Sequence, residues 1–378
     1  MLNVAYRWMF ETIPDPERNP NRLDMKTQRY SRQMRLPEIG PDGQDRLLKA
    51  SVLCVGAGGL GSPALLYLAA AGVGRIGIID FDRVDETNLQ RQVLFSTDMI
   101  GQPKAQEAAQ RVRQLNPDIQ VEYYDEELDA ESAARLFPLY DVIIDGTDNF
   151  ETKFLINDAA VKFGKPWIYG AIQGFDGQVS VFNDRGGPCY RCFQAKKPRA
   201  AVMNCAEAGV IGAIAGIIGV TQALQAIQLI TRHENFDPLV GKLWTLDART
   251  MQTKKLSLRK EVHCSTCSQA PERIVLEYTP FVCAAVTEIS ASQLKENSNC
   301  SLIDVREDRE WLQGHIEGAT LWPLSKLLAG DIPHISKNAE IVLYCQKGAR
   351  SLQAASILKE NGFSRVVCLL GGYADWNE

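Results

Sequence analysis

Several residue sets in this chain have types and spacings that could do chemistry. Gly56, Gly58, Gly59 and Gly61 form a G-x-G-x-x-G run, "GAGGLG". Such small residues let a phosphate approach backbone N–H groups where a helix starts. Asp80, Asn88, Arg91, Lys104 and Asp148 follow it. A carboxylate at Asp80 suits ribose hydroxyls, two cations suit a triphosphate losing pyrophosphate, and Asp148 suits Mg²⁺. Cys189 and Cys192 ("CYRC") and Cys264 and Cys267 ("CSTC") are two CxxC pairs, each able to chelate one side of a tetrahedral Zn²⁺. Cys345 opens a basic, glycine-containing turn, "CQKGARS", and Cys205 stands alone in "MNCAEAGV".

The elements that must position these groups are legible. "SVLCVGAGGLGSPALLYLAAAGVGRIGIIDFD" is strand, glycine turn, helix and strand: Ser51–Val55, Pro63–Ala71, then Ile76–Asp80. This βαβ unit predicts a parallel sheet. Further strands are expected at Val121–Tyr124, Val142–Asp145, Trp167–Ala171 and Gln178–Phe182. The polar groups fall in loops after strands, where open α/β sheets gather ligands. Residues 271–285 read as a linker to a second α/β pattern, 286–378. It has strands at Leu302–Val305 and Ile341–Tyr344, and a helix at Ala349–Asn361 ended by Gly362. Residues 1–25 read as a mobile tail before a first domain at 26–270.

Composition narrows the classes. At 378 residues, 45% hydrophobic and 23% charged, two globular domains are expected. A net charge of −5 argues against nucleic acid as the main ligand. Ten cysteines without a disulfide-framework spacing, and no secretory signal, point to a reducing compartment and a cytoplasmic location. Residues 208–230 are uncharged and long enough to span a bilayer, but Gln222, Gln225 and Gln228 give the segment a polar stripe. A buried helix is expected there, not a membrane span.

The residues "RYSRQ", "GAGGLG", "DFDRVDETNLQRQ", "GQPKA" and "TDN" resemble the MoeB/ThiF-type, ubiquitin-activating-enzyme-like adenylyltransferases, from about Tyr30 to Cys267. The resemblance implies a Rossmann-like domain that binds ATP and Mg²⁺ and adenylates the C-terminal glycine of a ubiquitin-like sulfur carrier ending in Gly-Gly. It implies that Gly59 lies under the phosphates, Asp80 holds the ribose and Asn88 helps position the nucleotide. Arg91 and Lys104 would contact phosphates, and Asp148 magnesium. Arg32, the second arginine of "RYSRQ", would reach into a partner subunit's site, which implies a homodimer. The paired cysteines would hold a structural zinc ion with no open position; redox dithiols or plain core cysteines are the rivals, and His263 reads as a neighbour. A cysteine at the place of Cys205 takes part in acyl or disulfide transfer in some relatives, against its reading as a small buried residue.

Cys345 ends an apolar strand before a helix, with Lys347 and Arg350 nearby, a setting that favours a thiolate. A phosphatase loop has Cys-x5-Arg; here arginine comes one residue earlier, which favours a smaller target than phosphate. With "LIDVRED" (Asp304, Arg306), "GHIEGA" and "LLGGY", the segment from about Val286 resembles a rhodanese sulfurtransferase domain. The resemblance implies a persulfide on Cys345, stabilised by Arg350 and loop amides. The expected fold is thus α/β throughout: a Rossmann-like adenylation domain with a structural zinc site, then a small α/β rhodanese-like domain. The expected activity joins them: the persulfide attacks the acyl adenylate, and a second thiol, Cys205 or a cellular reductant, frees a C-terminal thiocarboxylate. A cysteine desulfurase or a small compound such as thiosulfate would supply sulfur. A nicotinamide oxidoreductase and a catalytically dead zinc scaffold are the other classes.

Overall fold

The computed structural model describes residues 25–196, 209–278, 287–296, 300–346 and 348–376. They fall into two compact units, with Tyr278 the last described residue of the first.

Unit 1 is built on an eight-stranded sheet of order β3-β2-β1-β4-β5-β6-β7-β8. Its strands are β1 (Ser51–Val55), β2 (Arg75–Ile79), β3 (Gln120–Tyr124), β4 (Val142–Asp145), β5 (Trp167–Gln173), β6 (Asp176–Phe182), β7 (Lys242–Asp247) and β8 (Gln252–Ser257). β3 to β5 pair in parallel and β5 to β8 antiparallel. β1 is buried from Val52 to Val55, as an apolar run covered on both faces requires. The helix Gly61–Ala71 ends at Gly72, whose φ of +83° suits a residue with no Cβ.

The apolar helix Gly212–Thr231 packs against Gly61–Ala71 and against β5 and β6. Ile214, Ala215, Ile218 and Ala226 are buried there. Gln222 is buried too, its Nε2 donating to the carbonyls of Asp145 (2.7 Å) and Ile168 (3.1 Å). The helix is long and apolar enough to cross a membrane, yet half of it is buried inside the protein. Its glycines permit close packing: a methyl on Gly219 would collide with the Leu60 carbonyl.

Residues 271–278, expected to begin a linker, instead pack on unit 1. Ile274 is buried and its carbonyl accepts from Lys162 Nζ at 2.7 Å. Leu276 and Tyr278 pack on the same core, the Tyr278 hydroxyl donates to Glu127, and the Pro271 carbonyl also accepts from Lys162.

Unit 2 holds a five-stranded, all-parallel sheet of order β11-β10-β12-β13-β9. These are β9 (Thr287–Ile289), β10 (Ser301–Asp304), β11 (Thr320–Leu321), β12 (Glu340–Tyr344) and β13 (Arg365–Leu369). The helix Ala349–Glu360 follows β12 and covers one face through Ala354, Ala355 and Leu358. Gly362, at φ +89°, ends it as expected.

Candidate functional sites in the two units

In unit 1 the chain leaves β1 toward β2 and β3, then returns to β4 on the other side. The crevice beyond the C-terminal ends of β1 and β4 is therefore a topological switch point. Gly56 has φ +88°, and a methyl on Gly61 or on Gly146 would collide with its carbonyl. The glycine loop and the loop after β4 thus touch through backbone alone. Among the described residues, the N–H groups of Gly58, Gly59 and Leu60 donate to no protein acceptor.

The predicted side chains gather around that loop. Asp80 accepts from the Ala57 N–H (2.8 Å) and the Asp82 N–H (2.9 Å). Burial raises its pKa above the ordinary carboxylate value, with Lys104 working in the opposite sense. Lys104 is only 4% exposed and its Nζ reaches Asp82 Oδ2 at 2.8 Å. The Arg91 methylenes lie 3.6 Å from a methyl built on Gly59, and its Nη2 donates to Asn88 Oδ1 at 2.9 Å. Asp148 is exposed, and among the described residues makes no hydrogen bond or ion pair, so its oxygens suit a hard cation. Arg32 is likewise exposed without such a partner.

The structure adds residues that motif reading passed over. Of the two glutamines flanking Arg91, Gln90 is exposed and Gln92 is buried. The Gln92 Nε2 donates to Asn88 Oδ1 (3.1 Å) and lies 3.6 Å from a methyl built on Gly58, while its Oε1 has no partner. A buried orphan acceptor beside free loop amides fits a polar ligand there. Behind the loop, Lys153 Nζ donates to Asp145 Oδ2 (2.6 Å) and to the carbonyls of Thr147 and Gly170 (both 2.9 Å). This buried pair fixes the ends of β4 and β5, and with them the turn bearing Asp148.

The four paired cysteines converge although 71 residues separate the motifs, Phe193 to His263. Their sulfurs all lie within 4.8 Å of one another, with Cys189–Cys264 and Cys192–Cys267 at 3.5 Å and Cys189–Cys192 at 3.9 Å. Thiolates around a tetrahedral Zn²⁺ at ~2.3 Å sit about 3.8 Å apart. The donor set therefore fits zinc. Burial pushes the Cys267 thiol up to about 11 and Cys189 higher, while, against burial, the Thr266 and Cys267 amides draw Cys264 down; a divalent cation is what would let the raised thiols ionise as well. Arg191 joins the knuckle to the Phe150–Lys162 helix through Asp158, at 2.8 and 2.6 Å.

Unit 2 repeats the switch-point arrangement between β10 and β12. Cys345 lies just past β12, 2% exposed, and accepts the Gly348 N–H at 3.1 Å. Its carbonyl accepts from the Tyr373 N–H at 2.7 Å, and a methyl on Gly372 would collide with that carbonyl. This explains the second glycine of "LLGGY"; a methyl on the first, Gly371, would instead collide with the Asp375 carboxylate. Arg350 differs from expectation. Its Nη1 and Nη2 bind Glu310 Oε2 (2.6 Å) and Oε1 (2.7 Å), a bidentate pair, so the guanidinium is not a free cation over the sulfur. Arg306 is locked in the same way to Asp304, and also donates to Gln346 Oε1 at 3.1 Å. Cys205 and Lys347 lie outside the described residues.

The fold and both loops define an α/β nucleotide-type domain joined to a sulfurtransferase-type module. The ThiF family matches residues 30–267, and the rhodanese-like domain matches residues 290–378. The chain belongs to the ThiF family and carries a rhodanese-like domain. It is 41% identical to a probable adenylyltransferase/sulfurtransferase MoeZ of Mycobacterium tuberculosis (strain CDC 1551 / Oshkosh), over 92% of each chain. A sulfur carrier protein adenylyltransferase of Thermus thermophilus is 46% identical, over 67% of this chain and 95% of its own length. The adenylyltransferase and sulfurtransferase MOCS3 of Anopheles gambiae is 37% identical, over 93% and 86%. A crystal structure of E. coli MccB with ATP shares the fold, with TM-score 0.57 and 22% identity over 64% of this chain and 75% of that one. These relatives do not support the oxidoreductase or scaffold readings.

Proposed function

We propose that the chain adenylates the C-terminal glycine of a ubiquitin-like sulfur carrier and then replaces AMP with sulfur delivered from Cys345. One observation carries this reading. A glycine loop with unused amides, ringed by Asp80, Arg91, Lys104 and Asp148, shares a polypeptide with a cysteine loop, and relatives named for both activities match across nearly the whole chain.

The carrier's carboxylate oxygen attacks the ATP α-phosphorus and pyrophosphate leaves. Arg91, Lys104 and the loop amides over Gly59 offset the phosphate charge, Asp80 accepts from the ribose, and Asn88 holds Arg91 in place. Asp148 would hold Mg²⁺, which supplies further charge neutralisation on phosphate oxygens. The outer sulfur of a Cys345 persulfide then attacks the acyl carbon and AMP leaves, giving an acyl disulfide. A second thiolate attacks the Cys345 sulfur, freeing the thiocarboxylate and leaving a disulfide; Cys205 or a cellular thiol supplies it. The persulfide comes from a cysteine desulfurase or a small sulfane compound. Zinc on Cys189, Cys192, Cys264 and Cys267 is structural.

A homodimer completes the front site. Ile217 and Leu224, seven residues apart on the Gly212–Thr231 helix, are exposed, as is Tyr67 on the adjoining helix. Nothing lies within 4 Å of a methyl built on Gly216. An apolar face that permits close approach suits a second copy, whose Arg32 would enter this chain's site. ATP–pyrophosphate exchange, measured with carriers ending in Gly-Gly, tests the reading. Exchange stimulated by a carrier supports it; no exchange with a carrier of proven competence refutes it.

A further inference from the structure

This inference rests on the sulfur-transfer reading and asks which donors the Cys345 loop accepts. Attack on thiosulfate brings a dianion against a thiolate, so a nearby free cation would favour it strongly. Arg350 follows Cys345 by five residues, in the first turn of the helix Ala349–Glu360 that begins at the end of the cysteine loop. Yet its terminal nitrogens are both spent on Glu310, and the pair is only partly open to solvent, with side chains 21% and 31% exposed.

Glu310 is itself well held. It lies in the short helix Asp308–Trp311, and its Oε2 also accepts the Glu307 N–H at 3.2 Å. Two further described charges near the loop also have partners. Arg306 is paired with Asp304, and Glu307 accepts from Ser325 at 3.0 Å. Lys347 is the loop's remaining cation, outside the described residues.

We propose that Glu310 is a specificity-determining residue: its bidentate hold on Arg350 offsets that guanidinium's charge and shifts the loop's preference toward sulfane donors of low charge over dianions. In the reaction with thiosulfate, the Cys345 thiolate attacks the outer sulfur, the S–S bond breaks and sulfite leaves with the electron pair. Cyanide then removes the outer persulfide sulfur as thiocyanate and restores the thiolate. Methanethiosulfonate undergoes the same step with one charge fewer, and methanesulfinate leaves.

The test uses the full chain, with thiocyanate release giving kcat/KM for thiosulfate and for methanethiosulfonate. Glu310→Gln is expected to raise the thiosulfate-to-methanethiosulfonate ratio roughly tenfold. Glu310→Asp should stay near the parent ratio, and adding Arg350→Gln to Glu310→Gln should return to it. A merely structural Glu310 would lower both rates together and leave the ratio unchanged, and that result overturns the proposal. So does a fall in the ratio. Absence of thiocyanate from the parent chain with both donors would instead overturn the sulfur-transfer reading beneath it.

Discussion

In unit 1 the cations at the strand ends have loose partners: Arg91 rests on the amide of Asn88, and Lys104 on Asp82, whose side chain is 51% exposed. In unit 2 Arg350 and Arg306 each grip a carboxylate through paired hydrogen bonds. Both sets lie in segments that follow parallel strands, β2 in unit 1 and β10 and β12 in unit 2. A cation on a neutral or solvated partner can turn to an arriving polyanion at little cost, whereas a bidentate pair must first be broken. The contrast suits a triphosphate in unit 1 and a sulfur donor of small charge in unit 2.

The sharpest way to break this comparison is to disable one unit at a time. Lys104→Ala should cut carrier-stimulated pyrophosphate exchange by about 10³-fold while leaving thiocyanate release intact. Cys345→Ser should do the reverse. Loss of both activities from either substitution would mean that the units are not chemically separable.

Metal removal should also divide the units. Stripping the metal from the Cys189, Cys192, Cys264 and Cys267 cluster, or replacing Cys264 with Ser, should lower the melting temperature of unit 1 by more than 10 °C, on the order of several kcal/mol. The unit 2 transition, followed through thiocyanate release, should not move. Metal analysis should return about one zinc per chain.

The smallest expected effect is a pH dependence. Arg75 hydrogen-bonds Glu122 and lowers its pKa from 4.5 to about 2. The depressed folded value stabilises the native state above about 4.5, and this contribution is lost as pH falls toward 2. Glu122→Gln should cost about 1 kcal/mol near neutral pH, after discounting for solvent screening. That deficit should shrink through the acid window in urea titrations, in unit 1 alone.

What the sequence reveals follows the range of the interaction. The strands Ser51–Val55 and Val142–Asp145 were legible to the residue, because buried parallel strands are unbroken apolar runs. The cysteine convergence was legible because the CxxC spacing encodes half a tetrahedron. β8, "QTKKLS", was not, since it is exposed at every residue and is held by its antiparallel partner. The Glu310–Arg350 pair spans 40 residues between unrelated motifs, and no local spacing announces it. Gln92 was missed because its meaning lies in burial: its neighbour Gln90 is chemically identical.

The central claim is that acyl adenylate and persulfide belong to one reaction sequence. Its most direct test loads Cys345 with radiolabelled sulfane sulfur and adds a carrier already adenylated at its C-terminal glycine. The account predicts label in a carrier thiocarboxylate, with release of AMP, and none when Cys345 is serine. Label that stays on the protein while AMP is released to water would contradict it.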